Sequence, residues 1–210
     1  MKRFLVGLMV AAMAAIGFGG VSALADPSAN WQLASGSAQG SGGLATFDFS
    51  APDKTRLLFN GKDSSLLGNL AAATMTATFT VSGVSDAAMF TYGGQGTTSN
   101  PCVSPAAVRL YFESIPPGTK FAFTNFWWAD VSPASAVLAN GDFTLTVKVD
   151  ATQLWSDWNG KPSSANVDAF NAAASNVTAV GLSFGGGCFF ENGVGTTDGS
   201  GTLTLNTFAS

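Results

Sequence analysis

Read for alternation, the chain falls into short segments in which every second residue is apolar. Thr74 to Val81 is the cleanest, with Met75, Ala77, Phe79 and Val81 on one side and Thr74, Thr76, Thr78 and Thr80 on the other. Leu44 to Ser50 groups Ala45, Phe47 and Phe49 against Thr46, Asp48 and Ser50. Ala107 to Glu113 hides Val108, Leu110 and Phe112 and turns Arg109, Tyr111 and Glu113 the other way. Phe143 to Val149 alternates strictly. Phe121 to Trp128, after a Pro116-Pro117-Gly118 turn, reads as one more strand, with Phe126 and Trp128 outward and Trp127 inward. Side chains of a strand point alternately to its two faces, so each segment predicts a strand with one face in a core.

The rest is organised around Asn176 to Phe208. Val177 to Phe184 predicts a strand that sends Val180, Leu182 and Phe184 inward and leaves only Ala179, Gly181 and Ser183 outside. An outer face this bare suits close approach by a ligand or by another layer. A Gly185-Gly186-Gly187 bend, a short aromatic strand holding Cys188, a Gly-rich turn and a closing strand from Gly201 to Phe208 complete the stretch. Only Asn166 to Ser175 looks helical, with Asn166 as N-cap and Val167, Phe170 and Ala174 on one stripe. Many short strands, one brief helix and no βαβ rhythm predict an all-β, two-sheet antiparallel β-sandwich with one short helix.

The N-terminus carries Lys2 and Arg3, an apolar run from Phe4 to Ile16, and Ala23-Leu24-Ala25. This reads as a signal peptide over residues 1–25, leaving a single domain over 26–210; a retained anchor helix is the competing reading. The mature protein is then expected in the periplasm or the medium, with no membrane anchor. Losing Lys2 and Arg3 takes the basic count from 9 to 7 against 13 acids, a net charge of −6. Such a surface is a poor partner for nucleic acid. Cys102 and Cys188 are the only cysteines. In an exported chain they are expected to form one disulfide; the competing redox pair lacks a C-x-x-C spacing.

The chain has no histidine. Ser-His-Asp and Cys-His nucleophilic sites and His-containing zinc sites are therefore excluded. No phosphate-binding loop, dinucleotide fingerprint or EF-hand loop is present, and no cofactor is expected.

The order FTLTVKVD, LWSDWNG, an Ala-rich helix, NVTAVGLSFGGG, a Gly-rich turn and a last strand resembles the C-terminal half of galactose-binding-like jelly rolls, over roughly Phe143 to Phe208. Carbohydrate-binding modules of secreted glycoside hydrolases are built on such folds. The resemblance implies a jelly-roll sandwich and a binding role, and it raises a structural calcium ion, for which Asp142, Asp150, Asp157 and Asp198 lie near turns.

The residues themselves point to sugar recognition, because sugar rings stack their C–H faces on aromatic rings while flanking polar groups replace water at their hydroxyls. The expected site is Arg109, Tyr111 and Glu113 on one outward row, with Trp128, Trp158 and Asn159 and the small-residue floor of Ala179, Gly181 and Ser183. An oligosaccharide or polysaccharide is the expected partner, bound without catalysis. The alternative is a structural or surface-interaction protein of a matrix or coat, whose Thr-rich faces meet other copies. A third reading is a glycoside hydrolase or lyase using the only two glutamates, Glu113 and Glu191.

Overall fold

Thirteen strands appear in a computed structural model that describes residues 30–34, 43–49, 55–99, 101–130 and 132–210. In chain order the first seven are β1 (Trp31–Ala34), β2 (Ala45–Asp48), β3 (Leu57–Asn60), β4 (Thr74–Ser82), β5 (Phe90–Tyr92), β6 (Ala107–Glu113) and β7 (Phe126–Ala129). The others are β8 (Ser135–Val137), β9 (Gly141–Lys148), β10 (Trp155–Asp157), β11 (Ala179–Gly185), β12 (Val194–Thr196) and β13 (Thr202–Ala209), with helix α1 (Val167–Ala174) before β11. The segment read as a signal peptide lies outside the described residues. No helix of the described residues is long and apolar enough to cross a membrane.

The strands form an antiparallel β-sandwich. One sheet runs β1-β3-β11-β6-β7-β10, with β8 also paired to β6; the other runs β2-β13-β4-β9, and β5 and β12 make a two-stranded ribbon. The inward residues expected from alternation meet between the sheets: Val108, Leu110, Phe112, Val180, Leu182 and Phe184 from one, and Phe47, Met75, Phe79, Leu203 and Leu205 from the other. Burying these side chains supplies the main favourable free energy of folding. On the outer face of the smaller sheet the threonines form cross-strand hydroxyl pairs, Thr76 with Thr146 at 3.2 Å and Thr78 with Thr207 at 2.7 Å.

Helix α1 packs Phe170 against Phe112, Trp127 and Trp155. Its buried stripe is Phe170, Ala173 and Ala174, an i, i+3, i+4 set, whereas Val167 is exposed. Asn166 holds the N-cap position without a capping bond from its side chain.

Two expected strands differ: Phe121 to Trp128 is strand only from Phe126, within β7, and the segment around Cys188 is a turn. Phe123–Asn125 is a 3-10 turn, because the Asn125 side chain accepts from the Ala122 amide at 2.6 Å and donates to the Ser114 carbonyl at 2.5 Å, fixing the chain before β7. Phe121 and Phe123 are consequently exposed rather than in the core. Around Cys188 there is no strand: Gly186 bridges back to Phe189 in a tight reversal. A Cβ on Gly186 would lie 2.3 Å from the Tyr92 ring, so this bend needs glycine. The Asn192 to Ser200 loop, in turn, contains buried β12.

Candidate functional site

Across the outer face of the larger sheet, Phe59, Gly181, Tyr111 and Trp128 stand side by side on four neighbouring strands. The bare position at Gly181 is required, since a Cβ there would come within 2.1 Å of the Leu58 carbonyl oxygen. The parity read from the sequence holds: Val108, Leu110 and Phe112 face the main core, and Arg109, Tyr111 and Glu113 face away.

The expectation that this row lines an open hollow does not hold. Tyr111 is 0% exposed and Trp128 only 3%, both in a second apolar cluster with Leu57 and Phe126. Phe59, Ile115 and Phe190 pack on it. The cover is the segment after the glycine bend. Trp128 Nε1 donates to Ser183 Oγ at 3.0 Å, and Ser183 Oγ donates to the Phe190 carbonyl at 2.5 Å, binding that segment to the sheet. Arg109 is half-buried, its guanidinium 4.3 Å from the Phe190 ring centre, and Glu113 is half-buried too. Ala179, Gly181 and Ser183 are all buried: Ser183 lies under this layer, bonded to the Phe190 carbonyl, while Gly181 is crowded by the Leu58 and Phe59 backbone of β3. Tyr111 and Trp128 therefore offer no free ring face as stacking platforms.

Beside this layer opens a cleft of about 540 Å³, lined among others by Phe123, Trp128, Trp158, Asn159, Phe189 and Glu191. It is large enough for a small ligand. Trp158 is 45% exposed and packs its other side on Phe126 and Trp128, at 5.1 and 5.5 Å between ring centres. Its turn is set by Asp157, which is buried and whose Oδ1 accepts from the Asn159 and Lys161 amides, both at 2.9 Å. The facing wall is pinned by Asn192, whose Nδ2 donates to the Gly93 and Gly186 carbonyls at 2.8 and 2.9 Å. The expected disulfide, Cys102 to Cys188, is formed and ties down the same wall.

The cleft thus gathers the edge of Trp128 with Trp158, Asn159 and Cys188, while Arg109, Tyr111 and Glu113 are not among the residues lining it. Phe123, Phe189 and Asn192 escaped the sequence reading. The one signal for the last two is their place beside a disulfide-tied cysteine just after a glycine bend.

Burial dominates the electrostatics. It pushes the Glu191 carboxyl up to about 7, helped by the charge of Glu113 and opposed by Arg56. Burial also raises Glu113, and it lifts Asp130 to about 6 against the hydrogen bond from Ser156 and the charge of Arg109. A carboxyl raised by folding stabilises the fold fully below its unfolded value and loses that contribution as pH climbs through its folded value. Stability is accordingly expected to fall from about pH 4.5 to about pH 7, with Glu191 contributing roughly 1–2 kcal/mol once screening at its partly exposed position is allowed for. Urea midpoints across this range check it: Glu191→Gln should flatten the curve, and a variant curve as steep as the wild type would rule Glu191 out as the cause.

The four aspartates considered for calcium serve their own surroundings. Asp142 accepts from Thr80, Asp150 from Thr152, Asp157 from its turn and Asp198 from Ser200. No group of three or more Cys, Asp or Glu side chains that could hold a metal occurs among the described residues.

Fold and site together define an antiparallel β-sandwich, closed by one disulfide, with an aromatic cleft beside its larger sheet. Compared with known protein families, curated proteins and solved structures, the chain matches none.

Proposed function

We propose that this chain is an exported, non-catalytic carbohydrate-binding sandwich, akin to galactose-binding-like jelly rolls, and that its cleft binds a sugar on Trp158. The observation that carries the reading is the half-exposed Trp158 ring beside Asn159 in one cleft that Phe189 and Glu191 also line. Such a wall supplies an apolar face for the C–H side of a pyranose and amide and carboxyl groups for its hydroxyls. The packing of Trp158 on Phe126 and Trp128 holds the ring in place before a ligand arrives, which lowers the entropic cost of binding.

Affinity gel electrophoresis against neutral polysaccharides (β-glucan, xylan, galactomannan and galactan) tests this. Retention of the wild type on at least one, weakened about tenfold or more by Trp158→Ala, is the expected outcome. A protein retained by none of the four, or retained equally well without Trp158, refutes it.

A second reading draws on the exposed rings of Phe121, Phe123 and Phe189, which with Trp158 suit contact between copies in a matrix or coat. It requires concentration-dependent assembly in light scattering, which sugar binding does not.

A further inference from the structure

The cleft beside Trp158 is one of two hollows that meet. The second, of about 440 Å³, shares Phe123, Asp157 and Asn159 with it, while Phe121, Lys161 and Asn166 line the second alone and Trp158 and Glu191 the first alone. Exposed rings run across the junction: Phe121 stands edge-on to Phe123 and to Trp158, at 5.6 Å between ring centres in both cases. The backbones are joined there too, the Trp158 amide donating to the Phe123 carbonyl at 3.3 Å. Asp157 holds the turn, since its amide donates to the Lys161 carbonyl at 2.9 Å. That bond, with those its Oδ1 accepts, fixes the backbone from which Trp158, Asn159 and Lys161 project before any ligand arrives. Polar groups of the second hollow are left uncommitted. Lys161 forms no ion pair among the described residues, and Asn166 makes no capping bond although it sits at the start of α1.

We infer that the ligand is a neutral sugar chain rather than a single sugar, with one unit stacked on Trp158 in the cleft and the next units crossing Asn159 into the second hollow, where Lys161 and Asn166 meet their oxygens; the inference rests on the binding role proposed for the cleft. A run of exposed rings with hydrogen-bonding groups along it matches a polymer, whose successive units repeat the same C–H faces and hydroxyls. Lys161 only donates, and the Asn166 amide donates and accepts, so ring, linking and hydroxyl oxygens all find partners. Charge sets the class of chain. The second hollow carries Lys161 and Asp157, of opposite sign, and an acidic chain passing through the cleft would meet Asp157 and Glu191.

Calorimetric titration of the full chain with cellotetraose, xylotetraose, mannotetraose and galactotetraose, beside glucose, xylose, mannose and galactose, tests this. At least one tetrasaccharide is expected to bind, about tenfold or more tighter than its single sugar. Replacing Lys161 and Asn166 together by alanine should weaken that tetrasaccharide about tenfold, and Trp158→Ala should abolish its binding. If the double variant fails to fold, Lys161→Ala alone takes its place, with an expected loss of about threefold or more. A single sugar that binds as tightly as its tetrasaccharide, or a variant that binds the tetrasaccharide as the wild type does, overturns the extension into the second hollow and leaves the cleft reading standing. No binding of any of these sugars, or binding indifferent to Trp158→Ala, overturns both.

Discussion

Replacing Cys102 and Cys188 together by serine is expected to lower stability by about 4 kcal/mol and the melting temperature by about 10 °C. The bridge spans 86 residues of sequence, so cutting it restores much freedom to the unfolded chain. On the folded side, it joins an exposed segment, in which Val103 has no cover, to the start of the wall that carries Phe189 to Asn192. Sugar affinity should therefore fall with stability, because the wall is then tied to the fold by noncovalent contacts alone, among them the bonds of Asn192, of Ser183 and of Ser104 to the Gly187 carbonyl. Paired thermal and urea unfolding of wild type and variant measures the effect. A difference below about 1 kcal/mol would show that the native contacts of the wall, not the cross-link, hold it closed.

Trp128→Ala is expected to cost about 3–5 kcal/mol, the usual loss for truncating a buried tryptophan. The variant empties the centre of the second apolar cluster, where the indole stacks on Phe126 and lies near Phe190. It also takes from Ser183 the donor that its hydroxyl accepts from. Trp158→Ala, by contrast, removes a ring that is half in water and should cost about 1 kcal/mol or less while abolishing most sugar binding. Denaturant midpoints separate the two tryptophans. Wild-type stability in Trp128→Ala would mean that Trp128 is the open platform its position in the alternation first suggested.

That contrast shows where the sequence was legible. Met75, Ala77, Phe79 and Val81, and likewise Val108, Leu110 and Phe112, are buried as alternation requires, because a strand's period of two is a local property. The disulfide was equally readable, since the chain has only two cysteines. What alternation cannot reveal is how many layers lie over a face. Arg109, Tyr111 and Glu113 do point away from the main core, yet a segment 75 or more residues later folds over them after a glycine bend, and that return is a tertiary fact. The bareness of Ala179, Gly181 and Ser183 announced close approach; at Ser183 the approaching body is the protein's own Phe190 segment, and at Gly181 it is the backbone of β3. Phe121 and Phe123 misled for the opposite reason: they continue the alternation of Trp127 in sequence, but Asn125 turns the backbone before the strand begins. Trp158 and Asn159 were found by residue type alone, in a turn whose shape depends on Asp157.

The cleft can be interrogated through fluorescence, because of the five tryptophans in the chain Trp31, Trp127, Trp128 and Trp155 are buried and Trp158 alone is exposed. Titration with soluble oligosaccharides of the four polysaccharides is predicted to shift the emission to the blue, as the half-wet indole is covered, and the shift should vanish in Trp158→Phe. An emission spectrum indifferent to every oligosaccharide, or a shift that survives in Trp158→Phe, would contradict sugar recognition at this ring.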